Sequence, residues 1–129
     1  MRKYDNFCAA LMNMEKIYDY QPPYDIVVLT GLVGLYEICF EQSWKMMKDI
    51  LGNHGFEEGA TGSPKIILKT AYQANMIQNE SLWLRALQER NNVTHSYNQN
   101  IALSIVVKAK DEFYDMFCEL KKEVELNWL

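Results

Sequence analysis

The last third of the chain carries Ala102, Ile105, Val106, Ala109, Phe113, Met116, Phe117, Leu120 and Val124. Their spacing of three and four places them on one stripe of a helix and on no single face of a strand. The same period governs the start, where Tyr4, Phe7, Cys8, Leu11, Met14 and Tyr18 line up. Between about 25 and 51, Leu29, Leu32, Val33, Tyr36, Cys39, Phe40, Trp44, Met47, Ile50 and Leu51 form a longer stripe, with Leu35, Ile38 and Met46 outside it. A helix apolar on more than one side needs more than one neighbour, so this segment is expected at the centre of the fold or at an interface between copies. Gly31 and Gly34 interrupt it and each costs roughly 1 kcal/mol of helix propensity relative to Ala; a close helix crossing would account for them.

The boundaries follow from local chemistry. Pro22-Pro23 stops the first helix, since proline lacks the amide hydrogen and restricts the residue before it. Residues 52–62 hold four glycines and follow neither period, so they are expected as a flexible connection that includes His54. Ser63-Pro64 supplies an N-cap and a first-turn proline for a helix carrying Ile67, Leu68, Ala71 and Tyr72. Asn79 caps the next helix, with Leu82, Trp83, Leu84 and Leu87, and Asn98 caps the last. No segment alternates with period two. The expected fold is all-α, a single domain over residues 1–129 built as an antiparallel up-and-down bundle of four main helices plus a short extra helix.

Composition narrows the function. With 129 residues and 49% hydrophobic content, the chain is large enough to bury a packed core. The net charge of −4 excludes binding to nucleic acid through a global positive field, so any RNA contact has to be local, and DNA is not expected as a partner. Cys8, Cys39 and Cys118 are odd in number and form no C-x-x-C pair; reduced, buried thiols in a cytoplasmic protein are expected. The apolar run near Ile26 is broken by Thr30, Gly31 and Gly34, and Met1-Arg2-Lys3 leads into an amphipathic stretch, so neither a membrane span nor a secretory leader is expected.

One segment concentrates chemistry: residues 88–98, where Arg90, Asn91, His95 and Tyr97 crowd together. Guanidinium clamps phosphate bidentately and stabilises charge in a transition state. Imidazole moves a proton near neutral pH. On an ideal helix at ~100° per residue, Arg90 and His95 lie about 140° apart, flanking Trp83, Leu87 and Asn91. They converge if the helix ends between them or if two chains meet there. Spacing alone also fits an Arg and a His that simply complement the dipole at a helix end.

Resemblance to a family adds to this reading. Arg90-Asn91-Asn92-Val93-Thr94-His95 resembles the R-x(4–6)-H motif of HEPN domains, and its continuation to Tyr97 resembles the R-x4-H-x-Y form found in partners of minimal nucleotidyltransferases. Phe40-Glu41-Gln42-Ser43-Trp44-Lys45 is similar to the F-E-x-x-W-K signature of the same group, also named nucleotidyltransferase substrate-binding proteins. The sequence departs from the family at Asn98, where an acidic cap is common.

The resemblance implies a dimerising helical bundle, in many members an RNA-cleaving toxin whose active pair corresponds to Arg90 and His95. It also implies a nucleotidyltransferase antitoxin that attaches AMP to the tyrosine corresponding to Tyr97. An accessory subunit that binds nucleotide or substrate for a separate nucleotidyltransferase is the alternative.

Supporting roles are expected for Asn91, orienting phosphate or His95, and for Glu41 and Lys45, which share a helix edge with Glu37 and either pair on the surface or line the site opposite Arg90. Neither a metal nor a cofactor is expected, because no His, Cys or carboxylate cluster has ligand spacing. Met12, Met14, Met46 and Met47 are read as core filler, and the interleaved acids and lysines from Lys108 to Glu125 as a solvated face.

Overall fold

The computed structural model describes residues 2–129. Helix α1 (Arg2–Met14) leads through a 3-10 turn (Glu15–Asp19) and the Pro22-Pro23 loop into α2 (Ile26–Asn53). One-turn α3 (Glu58–Thr61), α4 (Pro64–Gln73) and α5 (Glu80–Ser96) follow. The chain closes with α6 (Gln99–Lys108), a π turn (Ala109–Phe113) and α7 (Tyr114–Asn127), which together form one long final helix. The protein is all-α, and among the described residues there is no strand.

Caps fix the starts. Asp25 Oδ1 accepts from the Val28 amide at 2.9 Å, Asn79 Oδ1 from Leu82 at 3.1 Å and Asn98 Oδ1 from Ile101 at 3.0 Å, so side-chain oxygens satisfy amides that lack helical partners. Ser63 does not do this: it precedes Pro64 in extended conformation but makes no side-chain cap bond.

Helix α2 is the axle of the bundle, burying eleven residues from Leu29 to Leu51. It runs unbroken through Thr30, Gly31 and Gly34, and its hydropathy and length alone would suffice to cross a bilayer. The long helix expected over about 25–51 is thus continuous, packing on several sides outweighing the glycine penalty, whereas the expectation that these residues leave its apolar run too short to span does not hold. Those glycines mark no close crossing either, since a Cβ at Gly31 or Gly34 would meet nothing within 4 Å.

An aromatic cluster fills the centre. Tyr36 stacks on Phe113 at 5.3 Å and donates its hydroxyl to the Ala86 carbonyl, while Trp83 meets Phe117 edge-on at 5.5 Å. The full final stripe, Ala102 to Val124, is buried. The π turn interrupts regular carbonyl pairing. Tyr18 donates to the Lys110 carbonyl at 2.7 Å, and Lys110 Nζ reaches back to the Tyr20 carbonyl and Tyr24 hydroxyl, binding the loop after α1 to the final helix.

Several expectations need correction. α1 ends at Met14, well before the prolines, and the tighter turn rotates Tyr18 outward to 40% exposure while Ile17 takes the core position. Met12 is exposed, as is Tyr72, and Cys8 and Cys118 are half-buried where only Cys39 is buried. The glycine-rich connection is packed: Gly55 takes a φ of 90°, and His54 lies edge-on to Trp128 at 4.9 Å. Gly59 comes so close to α2 that a Cβ there would lie 2.3 Å from the Gly52 nitrogen.

Candidate functional site

Arg90 projects from α5 toward α2. One guanidinium nitrogen donates to Glu41 Oε2 at 3.0 Å and another to Asn91 Oδ1 at 3.1 Å. The guanidinium carbon stands 5.8 Å from the centre of the Phe40 ring, close enough for cation–π attraction. With 22% of its side chain exposed, the group is held on three sides, and its Nε is buried without a hydrogen-bond partner. Glu41 also faces Lys45 Nζ at 4.0 Å, so an acid is shared between two cations.

The fork of Arg90 borders an open cleft of about 370 Å3 shared with Glu37, Ile38, Glu41 and Thr94. Burial pushes the Glu37 carboxyl up from its ordinary range; Arg90 pulls the other way and Glu41 adds to the rise. Thr94 donates to the Arg90 carbonyl at 3.2 Å. Two contributions were not read from the sequence: Phe40 beneath the guanidinium and Thr94 on the cleft wall, although Thr94 stands one helical turn after Arg90 and Phe40 adjoins Glu41.

Helix α5 continues to Ser96 and does not end between Arg90 and His95. Within one chain the two side chains therefore leave the helix about 140° apart. The structure brings Arg90, Asn91, Glu41 and Lys45 together; His95 is exposed and does not line the Arg90 cleft. Tyr97 ends α5, 43% exposed, with its hydroxyl 3.1 Å from Thr30 Oγ1.

Beside these residues the outer face of α2 is bare. Ile26, Val27 and Ile38 are 61%, 78% and 55% exposed, with Gly31 and Gly34 between them. Among the described residues no three His, Cys, Asp or Glu side chains are grouped to hold a metal ion.

An all-α bundle with the R-x4-H-x-Y segment at the end of α5 agrees with the HEPN resemblance of the sequence. Residues 2–126 match the family described as nucleotidyltransferase substrate binding protein like, and the chain belongs to that family. A Haemophilus influenzae protein named probable ribonuclease HepT is 27% identical over 105 residues, 73% of this chain; the match spans 66% of that protein's length. A solved Haemophilus influenzae structure, described as revealing the fold of a substrate binding domain of a nucleotidyltransferase, superposes with a TM-score of 0.78 at 25% identity, covering 95% of this chain and 98% of the other. A Thermus thermophilus protein of known structure shares the fold, with a TM-score of 0.72 at 22% identity and the same coverage.

Proposed function

We propose that this protein is a HEPN-type toxin: a homodimeric, metal-independent endoribonuclease of the cytoplasm, held in check by a minimal nucleotidyltransferase. The observation that carries the reading is Arg90, oriented by Glu41 and Asn91 over Phe40 at the edge of an open cleft. A guanidinium pre-positioned in this way is suited to a phosphate whose charge grows during reaction, because it needs no reorganisation at that moment. The Haemophilus relative named a probable ribonuclease supports the same direction.

In the proposed reaction a ribose 2′-hydroxyl attacks the adjacent phosphorus, the 5′-oxygen leaves, and a 2′,3′-cyclic phosphate remains. The 2′-hydroxyl gives up its proton and the departing 5′-oxygen gains one, with His95 as general acid or base in that transfer and Arg90 stabilising the phosphorane. Because one continuous helix separates their directions, the pair is completed across a two-fold axis, and the bare α2 face is the surface where a second copy packs. Tyr97, exposed at the end of α5, is the acceptor for AMP from ATP, with pyrophosphate leaving; the bulky anionic adduct would oppose RNA binding.

A second reading keeps the residues and drops the cleavage: an accessory subunit that binds nucleotide for a separate nucleotidyltransferase. The family description and the fold's Haemophilus neighbour favour it, as does an Arg90 already neutralised by Glu41.

The test is incubation of the purified protein with RNA in EDTA. Cyclic phosphate ends are expected, with Arg90→Ala and His95→Ala each reducing cleavage at least ~100-fold, the lower range for losing a positioned proton donor or charge stabiliser. Arg90→Lys should fail comparably while remaining folded, since lysine keeps the charge and loses the fork. Cleavage at parental rates by both alanine variants would refute the catalytic pair. A parent that never cleaves but binds ATP together with a nucleotidyltransferase establishes the second reading.

A further inference from the structure

A second cleft is lined in part by Lys45, the residue that faces Glu41. It encloses about 350 Å3 and is lined by Lys3 from α1, Trp44, Lys45, Lys48 and Asp49 from α2, and Gly59 from α3. Three lysines against one aspartate leave a net +2 on its lining, in a chain whose net charge is −4. Lys3 and Lys48 have no ion-pair partner among the described residues. The indole Nε1 of Trp44 is buried, and its hydrogen, which can only be donated, has no acceptor. Gly59 closes the wall because only a glycine fits against Gly52 there. Unpaired cations on a cleft whose Trp44 also carries an orphaned N–H donor are complementary to an oxyanion rich in acceptors.

This cleft and the Arg90 cleft share no lining residue but both open along α2. Glu41 bonds Arg90 on one side and faces Lys45 on the other, and Lys48 follows on the same helix. Seven residues of helix separate Glu41 from Lys48, about 10 Å at the usual rise. We propose that Lys3, Trp44, Lys45 and Lys48 form a phosphate subsite that holds the backbone of an RNA strand extending from Arg90. The occupant rests on the ribonuclease reading above; the subsite's preference for phosphate rests only on the cleft. A free nucleotide offers the same chemistry, so the experiment separates the two sources.

Fluorescence anisotropy is measured in EDTA with two probes, across a range of salt. The first is a labelled single-stranded RNA long enough to span both clefts, with its 2′-hydroxyls methylated so that it cannot be cleaved. The second is a fluorescent ATP analogue. The parent is compared with Lys3→Gln/Lys48→Gln and with Trp44→Phe, which removes the N–H and keeps an aromatic ring. Circular dichroism melts establish that each variant is folded.

Loss of two phosphate contacts lowers the slope of log K against log salt by about 1.4 for a single strand, which near 0.1 M salt is roughly a 25-fold weakening relative to 1 M. That result is expected for the double lysine variant with RNA, and Trp44→Phe should weaken RNA binding with no change of slope. Weakened binding of the ATP analogue alone supports the subsite and identifies a free nucleotide as its occupant. Unchanged affinity and slope in the folded double variant, or a parent that binds neither probe, overturns the proposal. RNA cleavage is scored separately, so failure of the subsite and failure of the nuclease give different results.

Discussion

At the residue scale, the polar edge of α2 is a ladder of charges whose members differ in cost. Glu41 is compensated by Arg90 and Lys45, whereas Glu37 is dominated by desolvation: its carboxyl is harder to ionise in the folded chain than in the unfolded one. The folded state therefore holds the Glu37 proton more tightly, and the stability this group contributes is present below the unfolded carboxyl pKa and lost as pH rises through the folded value. Glu37→Gln should accordingly raise the thermal midpoint at pH 7, with the gain shrinking to nothing as the pH falls below the carboxylate range. Melts of parent and variant at both pH values check this, and a midpoint lowered by the substitution at pH 7 would mean that the attraction of Arg90 outweighs desolvation. Glu37 and Glu41 were visible in the sequence as an i, i+4 pair, and Arg90 as a motif residue. That the motif arginine and Glu41 bond each other was not visible, because it depends on how α5 rolls against α2, which no local pattern records.

At the scale of elements, helical period and part of the capping chemistry were legible: Asn79 and Asn98 cap their helices and every residue of the final stripe is buried, whereas Ser63 makes no cap bond and the Asp25 cap of α2 was not read. What could not be read was the geometry of irregular backbone. The 3-10 turn that turns Tyr18 outward, the π turn at Ala109–Phe113 and the packing of the glycine-rich connection all depend on partners distant in sequence. The glycines are the clearest instance, since the two that look structural in the sequence stand open and one that looks like flexible linker is locked in place. Gly59→Ala would put a Cβ 2.3 Å from one backbone atom and 2.4 Å from another, and should cost about 3 kcal/mol, at the upper end of the range for overpacking, because backbone has to move. Gly34→Ala meets nothing and should add up to about 1 kcal/mol from helix propensity. Urea unfolding at low protein concentration measures both. Equal effects of the same sign would show that neither space nor propensity controls these positions.

At the scale of the whole molecule, a single chain presents Arg90 and His95 in different directions, so the proposed chemistry requires an assembly in which each half supplies what the other lacks. The two-fold axis proposed beside the bare α2 face would satisfy this, because an isologous interface repeats every contact and yields two equivalent sites. The consequence is testable without knowing the RNA target. Mixing Arg90→Ala with His95→Ala protein in equal amounts, and allowing subunits to exchange, makes half of the dimers mixed under random pairing. Each mixed dimer unites the intact arginine of one chain with the intact histidine of the other at one of its two sites, so cleavage should recover to roughly a quarter of the parental rate. If mixed dimers are demonstrated by capture through a tag on one variant and the RNA still survives, the two groups do not act across the axis. The same mixture discriminates the accessory-subunit reading, under which no combination of chains cleaves RNA.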